Sequence, residues 1–231
     1  MRDEQKLIEV FKKYKPEIVF HLAAQPLVRR SYIFPKETYE INIIGTVNIL
    51  DIAKNIDSIK AVVVITTDKC YENKEWIYGY RETDPIGGFD PYSSSKGCVE
   101  LIVSSYRNSF YNEKGIALSS VRAGNVIGGG DWAEDRLIPD FVRAVSQNKP
   151  VIVRNPLAIR PWQYVLEPLS GYLWLGALML EDKEKYSSSW NFGPNDTDVL
   201  NVSEILNLAI KNWGKGNIEL DRNSQLHEAN F

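Results

Sequence analysis

The sequence predicts an α/β protein built on a doubly wound parallel sheet, with a smaller C-terminal lobe. Short apolar runs such as Ile18-Val19-Phe20 and 61–65 alternate with longer amphipathic runs, a pattern typical of strands separated by helices. Strands joined through helices run parallel, because the helical crossover returns the chain to the same end of the sheet. With 231 residues, of which 44% are hydrophobic and 25% charged, the chain is long enough to bury such a core.

Local signals support the individual elements. The predicted helices span residues 4–14, 35–55 and 91–113, and the predicted strands span 18–20, 61–65 and 116–121. Pro16 ends the first helix, because a proline disfavours helical backbone in the residue before it. Asp90 is an N-cap candidate with Pro91 at the first helical position, and Gly115 stops that third helix.

Beyond Asn125 the texture of the sequence changes. A loop opens at 128–130, which is Gly-Gly-Gly, and helices then alternate with short extended pieces. We therefore expect one domain over residues 1–126, holding the catalytic residues, and a substrate-binding lobe over residues 127–231, with a soft boundary. The apolar stretch 168–180 is too short for the roughly 20 residues that span a bilayer, and it predicts a buried helix.

Charge and cysteine content exclude several classes of function. The net charge of −3, without a clustered basic excess, argues against a nucleic-acid surface. Cys70 and Cys98 have neither CxxC spacing nor a neighbouring His, so the sequence predicts no metal site and no disulfide framework. Met1 leads straight into charged residues, so we expect no signal peptide, no membrane segment and a cytoplasmic location.

Candidate functional residues follow the predicted strands, because ligands bind at the carboxyl ends of parallel strands. Leu22-Ala23-Ala24 follows the first strand, and its two small alanines would let the backbone approach a ligand closely, although tight packing is the more common reason for such alanines. Thr67-Asp68-Lys69 follows the second strand and offers a hydroxyl, a carboxylic acid and an amine for proton transfer.

Tyr92 and Lys96 lie four residues apart near the start of the third predicted helix. This spacing places both side chains on one helical face, where the ammonium can stabilise a phenolate. Such a pair is usually structural when it occurs alone. After a strand that ends in Thr67-Asp68-Lys69, however, the pair predicts a base that removes a hydroxyl proton while hydride leaves the same carbon.

Several motifs occur together in a fixed order. They are His21-Leu22-Ala23-Ala24, Asn42 with Gly45-Thr46, Thr67-Asp68-Lys69-Cys70-Tyr71-Glu72-Asn73, Gly79-Tyr80-Arg81-Glu82, Tyr92-Ser93-Ser94-Ser95-Lys96, Arg122-Ala123-Gly124-Asn125 and Arg160-Pro161-Trp162-Gln163. In this order the chain resembles the extended short-chain dehydrogenases that modify nucleotide sugars, and within them the CDP-glucose 4,6-dehydratases. The resemblance implies a Rossmann-like fold, NAD as cofactor, CDP-glucose or a similar nucleotide sugar as substrate, and a homodimer.

The resemblance also implies a role for each catalytic residue. Tyr92, assisted by Lys96, takes the proton of the sugar 4-hydroxyl while hydride passes from C4 to NAD. Lys69 then removes the C5 proton, Asp68 protonates the departing C6 hydroxyl, and Thr67 hydrogen-bonds the 4-oxygen. Hydride returns to C6 and leaves a 4-keto-6-deoxy sugar.

Binding residues are implied in the same way. The implied cofactor contacts are Leu22, Ala23, Ala24, Asn42, Thr66, Tyr92, Lys96 and Ala123, and the implied substrate contacts are Asn125, Arg160 and Asn191. The alternative for Asn125 is a helix cap, and the alternative for Arg160 is a surface ion pair.

Two departures from the resemblance limit these expectations. No Gly-rich strand-turn-helix precedes the first strand, so we expect the first βαβ units and tight NAD binding to be absent from this chain alone. The end at His227–Phe231 looks like the middle of the substrate lobe. The alternatives are another sugar-nucleotide 4,6-dehydratase, an epimerase, which Thr67-Asp68-Lys69 disfavours, and a non-catalytic remnant or binding module.

Overall fold

The computed structural model describes residues 1–195 and 198–221. The strands are β1 (Ile18–His21), β2 (Ala61–Ile65), β3 (Ala117–Ala123), β4 (Val126–Ile127), β5 (Val151–Val153), β6 (Ile159–Arg160), β7 (Gln163–Tyr164), β8 (Ser189–Phe192), β9 (Leu200–Asn201) and β10 (Ile218–Leu220). The α-helices are α1 (Glu4–Tyr14), α2 (Val28–Ile33), α3 (Pro35–Tyr39), α4 (Gly45–Ala53), α5 (Pro91–Tyr106), α6 (Asn112–Lys114), α7 (Leu137–Ser146), α8 (Leu166–Glu181), α9 (Lys183–Tyr186) and α10 (Val202–Trp213).

The main sheet has four strands in the order β1-β2-β3-β8, and all neighbours run parallel. The register pairs Ile18 with Ala61 and Ala61 with Ala117. Val62 and Leu118 belong to the apolar core that also holds residues of α1, α4 and α5. The predicted α/β fold with a parallel sheet is therefore confirmed.

The opposite face of the sheet is covered by α8. Gly176 of α8 lies so close to Phe20 of β1 that a Cβ atom would stand 2.8 Å from the ring. Val19, the neighbour of Phe20 in the strand, packs against the core on the α4 side instead. Because successive strand residues point to opposite faces, helices lie on both faces of the sheet, as a doubly wound fold requires.

Capping residues set both ends of α1 and the start of α5, where the Asp90 cap was predicted. The Asp3 side chain accepts a hydrogen bond from the amide of Lys6, and Lys15 adopts the left-handed conformation (φ 45°) just before Pro16. At α5, Asp90 Oδ1 accepts from the Ser93 amide at 2.9 Å. The helical stretch that follows ends at Gly115, whose φ of 67° is left-handed.

Two long helical stretches differ from the regular helices that were predicted. Glu40–Ile44, between α3 and α4, and Arg107–Tyr111, between α5 and α6, are π-helical. The short helix α2 was not predicted, because its six residues are too few to show an apolar period.

The buried helix predicted over 168–180 is wrong in one respect. The helix exists as α8, but Leu173 and Trp174 are 64% and 68% exposed, so only one face is buried. A nearly uniform apolar composition gives no period from which the exposed face could be read.

The chain forms two compact units. The first comprises Met1–Asn73, Tyr80–Ala123 and Glu167–Phe192, and it contains the whole main sheet. The second comprises Lys74–Gly79, Gly124–Leu166 and the described residues from 193 onward. The functional division at residue 126 stays a prediction, and the expectation about His227–Phe231 lies outside the described residues.

The second unit has short strand pairs and its own small core. β4 pairs with β7 and β5 with β10 in parallel, while β6 and β9 are antiparallel. The core residues are Phe141, Val145, Val151, Val153 and Leu206. Across the described parts of both units, no helix is both long and apolar enough to span a membrane. The same residues contain no group of three or more His, Cys, Asp or Glu side chains arranged to bind a metal ion.

Candidate active site

The segment Thr67-Asp68-Lys69 lies directly after the carboxyl end of β2. Thr67 is buried and caps a single 3₁₀ turn, Asp68–Cys70. Its hydroxyl donates to Asp68 Oδ1 at 2.9 Å and accepts from the amide of Lys69 at 3.4 Å. Lys69 itself is exposed. The three predicted proton-transfer groups are thus presented on one turn.

Lys96 connects α5 to the same strand end. Its Nζ donates a hydrogen bond to the backbone oxygen of Ile65, the last residue of β2, at 2.9 Å. Within the described residues this is the single hydrogen bond of the ammonium, which leaves two of its hydrogens without a partner. Burial lowers the pKa of Lys96 from 10.5 to about 8, against the opposing charge of Glu100.

Tyr92 lies one turn before Lys96 on α5 and is 9% exposed. Its backbone amide donates to Ser31 Oγ of α2 at 3.1 Å, so the start of α5 is held by a neighbouring helix. The structure therefore brings Tyr92 and Lys96 onto one face of a capped helix and ties that helix to the Thr67 strand end.

The residues after β1 divide into exposed and buried groups. Leu22 and Ala23 are exposed at the strand end, and Ala24 is half-buried. Asn42 is buried, and both hydrogens of its amide are used, by Ser95 Oγ at 2.8 Å and by the backbone oxygen of Gln25 at 3.1 Å. The cofactor role of Asn42 stays a prediction, while its observed contacts join the β1 loop to α5.

His21 ends β1 as a neutral side chain. The Thr46 hydroxyl donates its proton to the backbone oxygen of Asn42 at 2.7 Å, so at 3.0 Å it must accept from His21 Nε2–H. Burial, with a smaller contribution from the charge of Lys96, lowers the pKa of His21 to about 4. At neutral pH, His21 is therefore a hydrogen-bond donor and not a cation.

Glu100 of α5 and Arg122 of β3 form a buried ion pair next to the site. The sequence analysis did not predict this pair. Arg122 Nη2 contacts Glu100 Oε2 at 2.7 Å, and both side chains are at most 4% exposed. Glu100 also accepts from the hydroxyl of Thr66, a predicted cofactor residue. The sequence held one signal for Glu100: it lies four residues beyond Lys96, on the same face of a predicted helix, which indicates that its side chain lies on the side of the helix that faces the site. This spacing does not identify Arg122 as its partner.

Ala123 is the last residue of β3 and Asn191 is the last but one of the adjacent strand β8, and they pair with Phe192 and Arg122 respectively. Ala123 is buried. The Asn191 side chain accepts from the Tyr71 hydroxyl at 2.7 Å and donates to the backbone oxygen of Tyr80 at 2.8 Å. Asn191 thus holds the segment that follows Thr67-Asp68-Lys69, and its substrate role stays a prediction.

The other two predicted substrate residues belong to the second unit. The backbone oxygen of Asn125 accepts from the Gln163 amide at 2.9 Å, where β4 meets β7. Arg160 lies on β6, where it pairs with Leu200 of β9. Their predicted contacts with a diphosphate stay predictions.

Comparisons of sequence identify relatives over the whole chain. The CDP-glucose 4,6-dehydratase of Salmonella typhimurium is 54% identical over 100% of this chain, which covers 66% of that relative. The dTDP-glucose 4,6-dehydratase of Haemophilus influenzae is 28% identical over 80% of this chain and 55% of its own length. The chain thus spans about two thirds of the length of the first relative, and the predicted resemblance to CDP-glucose 4,6-dehydratases is confirmed.

Solved structures with the same fold include the Thermus thermophilus UDP-glucose 4-epimerase in complex with NAD. It is 25% identical with a TM-score of 0.80, over 97% of this chain and 72% of that one. The Streptomyces venezuelae dTDP-glucose 4,6-dehydratase with NAD and TYD bound has a TM-score of 0.82 at 21% identity, over 99% of this chain and 67% of that one, which shows the fold alone.

A protein-family model also matches this chain. The model described as GDP-mannose 4,6 dehydratase matches residues 1–229, which is nearly the whole sequence. Together with the parallel sheet and the Thr67, Tyr92 and Lys96 positions described above, this match shows that the chain belongs to the GDP-mannose 4,6 dehydratase family.

Proposed function

We propose that this chain carries the catalytic residues of an NAD-dependent lyase that converts CDP-glucose to CDP-4-keto-6-deoxyglucose. The observation that carries the proposal is the junction between β2 and α5. There the Lys96–Ile65 hydrogen bond ties the Tyr92 helix to the strand end that presents Thr67, Asp68 and Lys69. The 54% identity to the Salmonella CDP-glucose 4,6-dehydratase supports the choice of substrate.

The residues present fit NAD at this junction. Lys96 is a buried ammonium with two unpartnered hydrogens among the described residues, which suits the hydroxyls of a ribose. Leu22 and Ala23 are exposed after the carboxyl end of β1, the strand that neighbours β2, and doubly wound sheets bind ligands at this edge. NAD bound here would supply the hydride acceptor for the oxidation at C4 of the sugar and the hydride donor for the reduction at C6.

The side chains of the site have separate roles in moving protons and in orienting the substrate. Tyr92 removes the proton of the 4-hydroxyl, and the nearby charge of Lys96 stabilises the phenolate. The Thr67 hydroxyl orients the 4-oxygen. Once a 4-ketone has formed, Lys69 removes the acidified C5 proton and Asp68 donates a proton to the departing 6-hydroxyl.

The test is Lys69→Ala in a form of the protein that binds NAD. We expect formation of the 4-keto-6-deoxy product to fall by about 10² to 10⁴, the usual worth of a general base, while hydride transfer to NAD continues. Lys60→Ala is the matched control, because Lys60 precedes the other end of β2 and pairs on the surface with Glu17. Product formation by Lys69→Ala at the normal rate would reject the proposal.

Substrate choice has its own measurement. Turnover of CDP-glucose, dTDP-glucose and UDP-glucose at equal concentration should favour CDP-glucose. A preference for dTDP-glucose or UDP-glucose would keep the reaction and correct the nucleotide.

We also propose a homodimer that works in a reducing compartment. Ile44, next to α4, and Leu101, on α5, are 50% and 62% exposed, and a second copy would cover these apolar side chains. Cys70 and Cys98 are both free thiols, which is compatible with a reducing compartment such as the cytoplasm. Light scattering of Leu101→Glu should show monomers where the unsubstituted protein shows dimers.

A further inference from the structure

We propose that the Glu100–Arg122 ion pair and Tyr71 form a clamp that holds both ends of the Thr67-Asp68-Lys69 segment. None of the three is a catalytic residue; they act as positioning residues. The catalytic part of this inference rests on the function proposed above, whereas the structural part does not.

Glu100 holds the upstream end of the segment. Its carboxylate accepts hydrogen bonds from the Thr66 hydroxyl and, at 2.8 Å, from Ser120 Oγ on β3. Thr66 directly precedes Thr67, and its backbone amide donates to the Val121 oxygen at 2.7 Å. The start of the segment is therefore fixed to β3 and α5 together.

Arg122 holds the downstream end. Its Nη1 donates to the Tyr71 hydroxyl at 2.7 Å and to the backbone oxygen of Glu82 at 3.1 Å, while Nη2 contacts Glu100. The guanidinium also lies 4.9 Å from the centre of the Tyr71 ring. Tyr71 is 3% exposed and follows Lys69 by two residues, so one ion pair reaches both sides of the catalytic segment.

Tyr71 has a defined hydrogen-bond polarity. An arginine can only donate, so the Tyr71 hydroxyl accepts from Arg122 and gives its own proton to Asn191 Oδ1 at 2.7 Å. Asn191 in turn donates to the Tyr80 backbone oxygen, and the rings of Tyr71 and Tyr80 stack at 5.0 Å. Asn191 therefore supports the clamp by holding the Tyr71 hydroxyl from β8.

The segment between the two ends needs such support. Its own backbone bonds are long, with Cys70 N to Thr67 O at 3.2 Å and Tyr71 N to Asp68 O at 3.3 Å. A buried ion pair contributes little net stability, because the desolvation of both charges offsets their attraction. Placing Asp68 and Lys69 is a role that such a directional network can perform.

The experiment compares Tyr71→Phe with Tyr111→Phe. Tyr111 is the matched control, because it is fully buried and its hydroxyl also makes a hydrogen bond, to the Leu50 oxygen at 2.8 Å, but in the apolar core. Amide hydrogen exchange is read at Cys70 and Glu72 in the chain itself, without cofactor or substrate. We expect exchange there to be at least 10-fold faster in Tyr71→Phe and unchanged in Tyr111→Phe.

Steady-state kinetics then tests the catalytic consequence in NAD-loaded protein. We expect kcat of Tyr71→Phe to fall at least 10-fold with KM unchanged, and Tyr111→Phe to keep the normal kcat. Unchanged exchange at Cys70 and Glu72 in Tyr71→Phe would overturn the clamp, whatever the activity. Faster exchange with a normal kcat would overturn its positioning role.

The two proposals fail separately. Faster exchange in Tyr71→Phe supports the structural clamp even if the unsubstituted protein dehydrates no nucleotide sugar. That result would reject the proposed function alone.

Discussion

The first unit contains two buried regions, one made of apolar side chains and the other of charged and hydroxyl-bearing side chains. The core around Leu50, Val62 and Tyr111 is apolar, and its one tyrosine hydroxyl ends on a backbone oxygen. The cluster around Glu100 and Arg122 consists of charged and hydroxyl groups from separate elements. Apolar burial is non-directional and holds elements together, whereas hydrogen bonds between charged groups fix where each group points. The difference separates what stabilises this fold from what orients its site.

The largest expected effect comes from breaking the ion pair on one side. Glu100→Ala leaves Arg122 buried without its partner, and we expect unfolding by urea to require about 4 kcal/mol less free energy. Leu50→Ala opens a cavity in the apolar core at a cost of about 2 to 5 kcal/mol, so the total losses are similar.

The two variants should differ in which part of the chain loses protection from amide exchange. Amide exchange at Cys70 should accelerate in Glu100→Ala beyond the change in global stability, and in Leu50→Ala it should not. A loss below about 1 kcal/mol for Glu100→Ala, the size of an exposed ion pair, would contradict the contrast between the regions.

Lys96 allows a sharper test, because among the described residues its buried ammonium bonds a backbone oxygen and forms no direct ion pair, although the charge of Glu100 acts on it. The pKa of Lys96 is about 8 in the folded chain, compared with 10.5 for an unperturbed lysine, which stands for the unfolded chain. Below pH 8 the folded state therefore bears the full penalty of burying a charged ammonium. Above pH 10.5 neither state holds that proton and the penalty is gone.

The stability of the unsubstituted chain relative to Lys96→Met should therefore rise by about 3 kcal/mol between pH 8 and 10.5. Urea denaturation of both proteins across this range measures the difference, and groups shared by both cancel. A flat difference would show that burial does not penalise the ammonium.

The smallest effect comes from exchanging hydroxyl and methyl groups in β2 and in the residue that directly follows it. Val62→Thr puts a hydroxyl into the apolar core, and we expect a loss of about 2 kcal/mol. Thr66→Val removes one donor from Glu100, which keeps Ser120 and Arg122, and we expect a loss of about 1.5 kcal/mol. Thermal unfolding of both variants measures whether a hydroxyl destabilises the apolar core and whether a methyl group destabilises the polar cluster. A stabilising effect of either substitution would remove the distinction.

Much of the fold could be predicted because its signals are local. α1 and β2 have the predicted bounds, and the N-cap Asp90 begins α5 where a cap and a proline coincide. The placement of Thr67 at a strand end followed from the rule for parallel sheets, and the shared face of Tyr92 and Lys96 followed from their helical spacing. These predictions needed no knowledge of which residues touch.

The rest depended on contacts between distant residues. Asn42 and Asn191 carry side-chain amides that suit a ligand, and only the folded chain shows that Ser95 and Tyr71 engage them. Nothing in the sequence near Arg122 says that its partner is on α5, since the two lie 22 residues apart. The exposed side of α8 was hidden by its uniform apolar composition.

The π-helical segment Arg107–Tyr111 has a consequence for how this chain tolerates change in length. A π turn holds an extra residue, and each residue of an α-helix turns the chain by about 100°. Deleting one residue there would convert the π turn into an α turn, which completes the same rotation with one residue fewer, so the side chains on both sides would keep their orientation. The hydrogen bond from Tyr111 to the Leu50 oxygen should therefore survive a deletion within residues 107–110. A single deletion in the regular turns of α5, which rotates the following side chains by about 100°, should be tolerated less readily.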